Sequence, residues 1–501
     1  MKVVEARPAA HLPRAAAVAA LVGLSLVSTL VMLNAQQALT GNLWGVPVDD
    51  AYIHFQYARN LAAGHGFAFN PDQPMPGSTS PLWVVLLAIP AMAGAPLWLT
   101  AKVLGVAFLA LSSVLIWRLA GRFTERPGVA LTAGLLTAID GRLAWAAPSG
   151  MEITLFAALS VGALLARDDI AMHGADGRRL GLLALLCGLA ANARPEGYLL
   201  AALLLFDVVN RDRPSLRAVA VAGAIVAALV LPYIIFCQAT TGHPLPTTFY
   251  AKAGSHGLPA TKQYLQAQIF FGLLTNPAAA LMAPVGAVVL WRQGKAARLA
   301  VLWPLSLVLV QAVLSPLAYH FGRYTMPLDP FFALWAAIGV ARLTRVGGPG
   351  DRWRAALPSL VLVVVGLLAL SSWAGFYARS VRDINTMQVA LGQWVRVHAP
   401  PGAPIALNDI GAITYLGGRP AIDVVGLVSP QFIALQREVP RDKAERDVYA
   451  EIKRLGGRYL IIFPEWYPEL ARQPGLHELH HVTIHNSLIE GAPTMVVYAV
   501  T

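Results

Sequence analysis

The sequence predicts a multi-pass α-helical membrane protein that ends in a small α/β domain. Hydrophobic residues make up 56% of the 501 residues, and the mean hydropathy is +0.57. Charged residues make up only 13%, about half of the roughly 25% that is usual in soluble domains. The charges are unevenly spread, since 24 of them fall in the 126 residues after position 375. These numbers exclude disordered, collagen-like and coiled-coil chains and indicate a membrane body with a water-facing domain.

The membrane body, residues 1–375, begins with an apolar run at 15–35 that is long enough to span a bilayer. We interpret this run as an uncleaved first helix because no convincing cleavage site follows it. In the stretch 81–147, simple alternation of membrane spans places the basic loop on the wrong side of the membrane. A short or re-entrant piece at 81–94 would restore the expected orientation. We expect 11–13 spans in all. Beyond residue 147, the predicted spans are 151–166, 180–193, 197–210, 218–236, 268–290, 299–318, 325–341 and 355–375.

Short basic clusters between the apolar runs set the orientation of the chain. Cytoplasmic loops of membrane proteins are enriched in Lys and Arg, so these clusters and the amino terminus are placed in the cytoplasm. The net charge of +11 therefore reflects orientation rather than nucleic-acid binding. The segment 40–80 and the domain 376–501 then lie outside the cytoplasm. The basic clusters are 178–179, 211–217, 292–298 and 342–354.

Residues 376–501 predict a small α/β domain because short β-type runs alternate with helical patterns. An amphipathic helix is expected at 383–398 and a charged helix at 441–455. The expected strands are 405–407, 421–425, 459–463 and 494–500.

The first outer segment, residues 40–80, carries the strongest functional signal. Asp49 and Asp50 begin an amphipathic helix that Gly64-His65-Gly66 ends. Neighbouring residues on a helix point about 100° apart, so the two aspartates do not easily form a carboxylate dyad. We expect one to act as a base and the other to cap, orient or bind a metal. The alternative is that one of them only caps the helix, although unpaired acidic groups beside lipid are costly and often functional.

Further polar motifs recur along most of the chain in a definite order. They are Asp49-Asp50-Ala51-Tyr52-Ile53, Tyr57-Ala58-Arg59-Asn60-Leu61, Gly64-His65-Gly66, Asn70-Pro71, Ser80-Pro81-Leu82-Trp83, Ser149-Gly150-Met151-Glu152, Arg194-Pro195-Glu196-Gly197, the run 244–252, Arg323-Tyr324, Asn408-Asp409-Ile410-Gly411 and the run 423–427. Together they resemble GT-C-fold membrane glycosyltransferases, with the terminal arabinofuranosyltransferase-like branch closest and protein mannosyltransferases more distant. That branch usually has Glu-Gly-Tyr-Thr where this chain has Pro76-Gly77-Ser78-Thr79, which leaves the identity of the sugar open.

The resemblance implies an enzyme that transfers a sugar from a polyprenyl-phosphate carrier to an acceptor on the outer face of the membrane. The sugar is a pentose or a hexose, and the acceptor is a cell-envelope glycan, a lipid or a protein. Membrane lipid is the other expected partner, and no nucleic acid is expected. The expected location is the bacterial inner membrane, with the C-terminal domain outside the cytoplasm.

Such a reaction needs a base for the acceptor hydroxyl and positive charge or hydrogen-bond donors for the departing phosphate. Asp49 is the favoured base, Asp50 is its nearest competitor, and Glu152 is a candidate second carboxylate. Arg323 is the first candidate for binding the phosphate. The further candidates for phosphate or substrate binding are Lys252, Arg194, His320, Arg59, His54, Tyr324 and Glu196.

Several of these candidates have a structural alternative. Glu152 could equally begin a helix, where a negative charge is favourable. Arg323 could snorkel to the headgroup layer. Arg194 could simply pair with Glu196, two residues further on.

The sequence leaves a divalent cation open as a cofactor and indicates no other. Asp50 and His54 are four residues apart and would share a helical face, yet two ligands do not make a metal site. A group of histidines in the outer domain lacks ligand-like partners and is interpreted as solvated surface. These are His477, His480, His481 and His485.

Two other functions stay open beside the transferase. One is a transporter or flippase for a lipid-linked intermediate, which would need charge pairs inside the membrane and paired broken helices. The other is a non-catalytic assembly protein whose outer domain binds an envelope polymer. The sequence shows few charges within the predicted spans and no internal repeat, which favours the transferase over the transporter.

Overall fold

The computed structural model describes residues 13–252, 258–316, 318–343, 352–437 and 440–501. A bundle of helices is followed by a C-terminal sheet domain, so the predicted fold class is confirmed. The helices of the bundle and its loops are Arg14–Thr40, Asp50–Ala62, Pro81–Met92, Leu97–Phe123, Pro127–Ala138, Gly141–Ala146, Ile153–His173, Gly177–Ala193, Glu196–Asp212, Leu216–Thr241, Thr247–Lys252, Leu258–Thr275, Pro277–Gln293, Lys295–Leu314, Asp329–Leu343 and Arg352–Ile384.

Within the described residues, six helices are long and apolar enough to cross a membrane, or up to eight if each of two bent pairs is one span. Helix Arg14–Thr40, for example, has 27 residues, which at 1.5 Å per residue is about 40 Å. Other predicted spans, such as 180–193, lie in helices of only 17 residues, and so length and composition support fewer spans than the expected 11–13. The short piece expected at 81–94 is the 12-residue helix Pro81–Met92.

The span predicted at 268–290 is wrong as a single helix. The chain bends by 117° between helices Leu258–Thr275 and Pro277–Gln293. Pro277 has no backbone N–H with which to continue the first helix. Asn276 caps the second helix, because its side chain accepts a hydrogen bond from the Ala279 N–H at 3.0 Å.

The helix predicted at 383–398 is not a separate element. Helix Arg352–Ile384 continues through a π-helical turn, Asn385–Val389, into helix Ala390–His398. No proline interrupts the chain between 358 and 400, so the helix leaves the membrane body without a break and the expected boundary at 376 falls inside it. Residues 344–351 of the basic cluster 342–354 lie outside the described residues.

The C-terminal domain is built on a five-stranded mixed sheet with the order β2-β1-β3-β5-β4. Strands β1 and β2 and strands β1 and β3 pair in parallel, whereas β5 is antiparallel to both β3 and β4. The strands are β1 Ile405–Leu407, β2 Ala421–Asp423, β3 Tyr459–Ile462, β4 Leu476–Thr483 and β5 Thr494–Val500, and the helices are Gly411–Gly417, Gln431–Leu435 and Arg441–Arg454.

Helix Asp50–Ala62, here called the loop helix, is packed between the bundle and the C-terminal domain. Its residues Tyr52 and Phe55 are almost fully buried, with ring centroids 5.7 and 6.0 Å from that of Tyr415. Further along the loop, the Asn70 side chain exchanges two hydrogen bonds of 2.9 Å with the backbone of Ala421. The first loop and the C-terminal domain therefore lie on the same side of the bundle and hold one another.

Candidate active site

A cavity of about 50 Å³ lies between the loop helix, the bundle and the C-terminal domain. The loop helix contributes its first turn, the bundle contributes residues next to helix ends, and the C-terminal domain contributes Leu427. Seven of the eleven site residues predicted from the sequence line this cavity. They are Asp50, His54, Glu152, Arg194, Lys252, Arg323 and Tyr324.

Asp50 is the first residue of the loop helix and faces two cations. The Arg323 guanidinium pairs with Asp50 Oδ2, and Lys252 Nζ is 3.6 Å from the same oxygen. The Asp50 side chain keeps 28% exposure, so its carboxylate borders the cavity. Burial alone would raise the pKa of Asp50, but Arg323 and then Lys252 hold that pKa well below its usual range.

Arg323 is buried yet still has hydrogen-bonding capacity. Its guanidinium carbon is 5.2 Å from the Tyr324 ring centroid, and its Nη2 donates to the Tyr324 hydroxyl at 3.3 Å. Among the described residues, the buried Arg323 Nη1 has no hydrogen-bond partner. Burial lowers the pKa of Lys252, but Tyr324 and Asp50 raise it above its usual value, so this ammonium stays charged. Arg323 and Lys252 thus both border this small cavity, which Arg194 also lines.

A second set of charged groups continues from the other side of the cavity. Arg194 Nη1 donates to Glu152 Oε1 at 2.7 Å, and its Nη2 donates to Glu196 Oε1 at 2.8 Å. His54 Nε2 is 3.4 Å from Glu152 Oε2, and His54 Nδ1 is 3.3 Å from Ser78 Oγ. The expected pairing of Arg194 with Glu196 is present, but Arg194 also binds Glu152. Glu152 makes no capping bond to the helix that it precedes.

Asp49 does not line the cavity and has a different environment. Its two carboxylate oxygens accept hydrogen bonds from the backbone N–H groups of Gly411 and Ala412 at 2.8 and 2.7 Å. It therefore caps helix Gly411–Gly417 of the C-terminal domain and makes no capping bond to its own helix. A Cβ atom on Gly411 would lie 2.1 Å from the Asp49 carbonyl oxygen, so the close approach requires glycine.

Asp49 belongs to a buried acidic cluster where the C-terminal domain meets the bundle. Gln388 Nε2 donates to Asp409 Oδ2 at 3.0 Å and also to Glu490 Oε2. Burial and the neighbouring Asp409 raise the pKa of Asp49, and burial raises the pKa of Asp409. Burial and Asp409 also raise the pKa of Glu490 to about 8. At neutral pH these carboxyl groups are therefore protonated to a greater extent than free carboxyl groups.

Three other predicted residues, Arg59, His320 and Glu196, also lie outside the cavity lining. Arg59 Nη1 donates to the Tyr415 carbonyl at 2.9 Å, and its guanidinium lies 4.7 Å from the Tyr415 ring centroid. Arg59 therefore joins the loop helix to the C-terminal domain instead of bordering the cavity. His320 lies within electrostatic reach of Asp50 and Arg323 but does not line the cavity either.

Several lining residues carry no role in the sequence-based prediction. Thr248 Oγ1 donates to the Gly77 carbonyl, which joins the run 244–252 to the link 76–79. The run 244–252 is one of the recurring polar motifs, and 76–79 is the segment that departs from the motif of the arabinofuranosyltransferase-like branch. These two features are the sequence signals that could have pointed to the lining residues. The lining residues without a predicted role are Ile53, Gly77, Ser78, Thr79, Met151, Thr248 and Leu427. In the described part of the chain, no group of three His, Cys, Asp or Glu side chains is arranged to hold a metal ion.

The fold and this site define the class of protein as a membrane protein with the GT-C fold. The chain superimposes on ArnT from Cupriavidus metallidurans bound to undecaprenyl phosphate with a TM-score of 0.62 and 14% identity, over 96% of this chain and 97% of that one. The Archaeoglobus fulgidus oligosaccharyltransferase gives a TM-score of 0.60 at 12% identity, covering 88% of this chain and 69% of that chain. The predicted GT-C resemblance is confirmed.

Part of the chain is also similar in sequence to a known arabinofuranosyltransferase. It is 31% identical over 225 residues to the terminal beta-(1->2)-arabinofuranosyltransferase of Mycobacterium tuberculosis (strain ATCC 25618 / H37Rv). That match covers 41% of this chain and only 34%, about a third, of the relative. Mycobacterial arabinofuranosyltransferase AftD matches with a TM-score of 0.55 and 16% identity, over 98% of this chain and 40% of that one. Residues 379–498 match a domain of unknown function, DUF8728.

Proposed function

We propose that this chain is a membrane glycosyltransferase that takes a sugar from a polyprenyl-phosphate carrier. The observation that carries the proposal is the convergence of Arg323 and Lys252 on Asp50 in one cavity. Cations suit a phosphate, and a carboxylate suits the removal of a hydroxyl proton. The fold shared with a protein solved with undecaprenyl phosphate supports a lipid-linked donor.

In the proposed reaction, an acceptor hydroxyl oxygen attacks the anomeric carbon of the sugar. A new carbon–oxygen bond forms, and the bond from that carbon to the carrier phosphate breaks, with its electron pair passing to the phosphate oxygen. Arg323 and Lys252 stabilise the charge that develops on the phosphate. The proton of the acceptor hydroxyl passes to a carboxylate. The leaving group is a phosphate whose negative charge the two cations stabilise, so it needs no separate acid.

We assign the base role to Asp50 and a positioning role to Asp49. Both oxygens of Asp49 already accept backbone N–H groups, whereas Asp50 borders the cavity. A donor phosphate that binds Arg323 and Lys252 would draw these cations away from Asp50. The pKa of Asp50 would then rise towards its ordinary value, which makes it a better base when the donor is present.

For the sugar we propose a pentose first and a hexose second. The named activity of the Mycobacterium tuberculosis relative supports a pentose. Gly77, Ser78 and Thr79 line the cavity, so the departure from the usual motif lies where a sugar would bind. The proposed acceptor is a hydroxyl of an envelope glycan, lipid or protein on the outer face of the bacterial inner membrane, with the C-terminal domain on that face.

A divalent cation remains a secondary proposal. Asp50 and His54 both border the cavity, but Arg323 and Lys252 already supply positive charge there. We therefore expect transfer to continue after treatment with EDTA. Loss of activity that Mg²⁺ or Mn²⁺ restores would instead establish a metal requirement.

The test is sugar transfer by the purified protein in lipid nanodiscs. Radiolabelled polyprenyl-phosphate pentoses and hexoses are supplied with envelope extracts as acceptors, and labelled product is measured. Removing one stabilising donor from such a site typically costs about 100- to 1,000-fold in rate, and Arg323→Met should fall in that range. A well-folded wild-type protein that transfers no sugar from any donor would overturn the proposal.

Lipid flipping is the second candidate, and one observation favours it. Arg142 and Asp329 form an ion pair of 2.9 Å inside two candidate membrane segments. Intramembrane charge pairs are typical of transport pathways. Movement of labelled lipid-linked sugar across proteoliposomes without transfer to an acceptor would support this candidate over the transferase.

A further inference from the structure

The segment that carries Arg323 has an unusual backbone. Three consecutive residues, His320, Phe321 and Gly322, are left-handed, with φ angles of 49°, 60° and 69°. Glycine adopts this conformation readily, but histidine and phenylalanine do so at a cost, so surrounding contacts must hold the turn. Because Arg323 follows directly, the turn decides where its guanidinium points.

Arg142 binds this turn without lining the cavity. Its Nη2 donates to the Gly322 carbonyl at 2.8 Å and to Thr325 Oγ1 at 2.9 Å. Its Nη1 donates to Asp329 Oδ1 at 2.9 Å, so a buried carboxylate faces the buried cation. Arg142 is 3% exposed and does not line the cavity.

A break in the bundle brings Arg142 to this place. The paired segments Pro127–Ala138 and Gly141–Ser149 meet at an angle of 42°, and Asp140 lies at the break. The Asp140 side chain caps the second segment by accepting the Leu143 N–H at 2.9 Å. Arg142 therefore projects from the first turn of a new helix.

Aromatic packing holds the same turn at Phe321. The centroid of its ring lies 5.3 Å from that of Trp373, 5.4 Å from that of Phe376 and 5.7 Å from that of Trp145. These contacts fix the ring but give no hydrogen bond to the backbone of the turn. Arg142 supplies such a hydrogen bond. Its planar guanidinium group donates to two groups of the turn and, at the same time, to Asp329.

We infer that Arg142 is a positioning residue that holds the 320–325 turn so that Arg323 points at Asp50 and at the donor phosphate. This inference rests on the proposed function, since it gives Arg323 the role of binding that phosphate. Charged groups inside a membrane bundle are costly and are usually functional, which agrees with such a role.

The test compares Arg142→Lys and Thr325→Val with a matched control, Arg167→Lys. Lysine keeps the charge but loses the planar fork of arginine. Thr325→Val removes one acceptor of Arg142 and also the hydrogen bonds of the Thr325 hydroxyl to the Gly322 carbonyl and to Gln268. Arg167 is similarly buried, with 5% side-chain exposure, and pairs with Asp207 and Asp212 at 2.6 and 2.8 Å without contacting the turn. We expect Arg142→Lys to raise the KM for the donor by about 10- to 100-fold, with an unchanged KM for the acceptor. Thr325→Val should also raise the KM for the donor, and Arg167→Lys should leave that KM unchanged.

Binding of unlabelled polyprenyl phosphate, measured by native mass spectrometry, separates this inference from the proposed function. Weaker binding in Arg142→Lys than in Arg167→Lys supports positioning, whether or not sugar transfer is detected. Wild-type protein that binds this lipid but transfers no sugar contradicts the proposed function alone. Unchanged donor KM and lipid binding in Thr325→Val and in a folded Arg142→Lys would overturn the inference. Equal losses for donor and acceptor, as in a general structural defect, would also overturn it.

Discussion

At the scale of single residues, the clearest result is the different environment of two adjacent aspartates. Asp50 borders the cavity and pairs with two cations, whereas Asp49 is used to cap a helix of another domain. The sequence predicted that the two would divide their roles, because neighbouring helical residues point in different directions. The sequence favoured Asp49 as the base. It could not indicate that Asp49 caps a helix about 360 residues away, because no local pattern points to that helix.

The pairing of Asp50 predicts a pH effect in Lys252→Met. Loss of this cation raises the pKa of Asp50, and a base must be ionised to act. The acid limb of kcat/KM should therefore move to higher pH than in the wild type, with a rate loss of about 100-fold at the optimum. The measurement is kcat/KM for donor transfer as a function of pH.

Lys262→Met is the control for this experiment. Lys262 is an exposed lysine on helix Leu258–Thr275, outside the cavity lining, so its profile should match that of the wild type. An acid limb that stays in place in Lys252→Met would show that Asp50 is not the base or that Lys252 does not act on it.

At the scale of elements, the interface between the loop helix and the C-terminal domain contains carboxyl groups with raised pKa values. The pKa of Glu490 is about 8 in the folded protein and about 4.5 when it is free. The folded state thus binds this proton more tightly than the unfolded state does. The stabilisation of the folded state by this tighter proton binding is complete below about pH 4.5 and is lost as the pH rises to about 8.

Glu490→Gln should remove part of this pH dependence. We expect the Tm of the wild type in detergent to fall between pH 5 and pH 8, and the fall to be smaller in Glu490→Gln. Glu478→Gln is the control, because Glu478 is exposed on β4 and pairs only with His481 among the described contacts of its side chain. A wild-type Tm that is flat or rises over this range would contradict the assignment.

Hydropathy alone predicts the positions of some helices and strands but not of others. The first helix and the helices near 180–210 follow their apolar runs closely. The bend at Asn276 was missed because the sequence on both sides is apolar. Strand β4 was missed because it is an edge strand whose polar His477, Glu478 and His481 are exposed, so it lacks the expected apolar signal.

At the scale of the whole molecule, the site is assembled from segments that are far apart in sequence. The order of the motifs and the orientation of the loops were sufficient to select seven residues that meet at one cavity. The contact of Arg142 with the 320–325 turn was not accessible, because its three partners lie about 180 residues further on. Buried ion pairs inside a bundle leave no periodic pattern from which they could be predicted.

The whole-molecule arrangement also gives the C-terminal domain a direct role at the site. Leu427 lines the cavity, and helix Gly411–Gly417 is capped by the residue before Asp50. The domain therefore completes the cavity wall and holds the loop helix at the same time. The long helix from Arg352 also continues into the domain without a break.

The most direct test of the central claim is donor-dependent sugar transfer by Asp50→Asn and Asp49→Asn, measured beside the wild type with a radiolabelled polyprenyl-phosphate pentose. Both variants are first checked for a single folded species in detergent. Asp50→Asn should lose at least about 100-fold in transfer rate, the usual contribution of a general base. Asp49→Asn should lower the Tm and retain more activity than Asp50→Asn. Wild-type transfer by a folded Asp50→Asn protein would contradict the account.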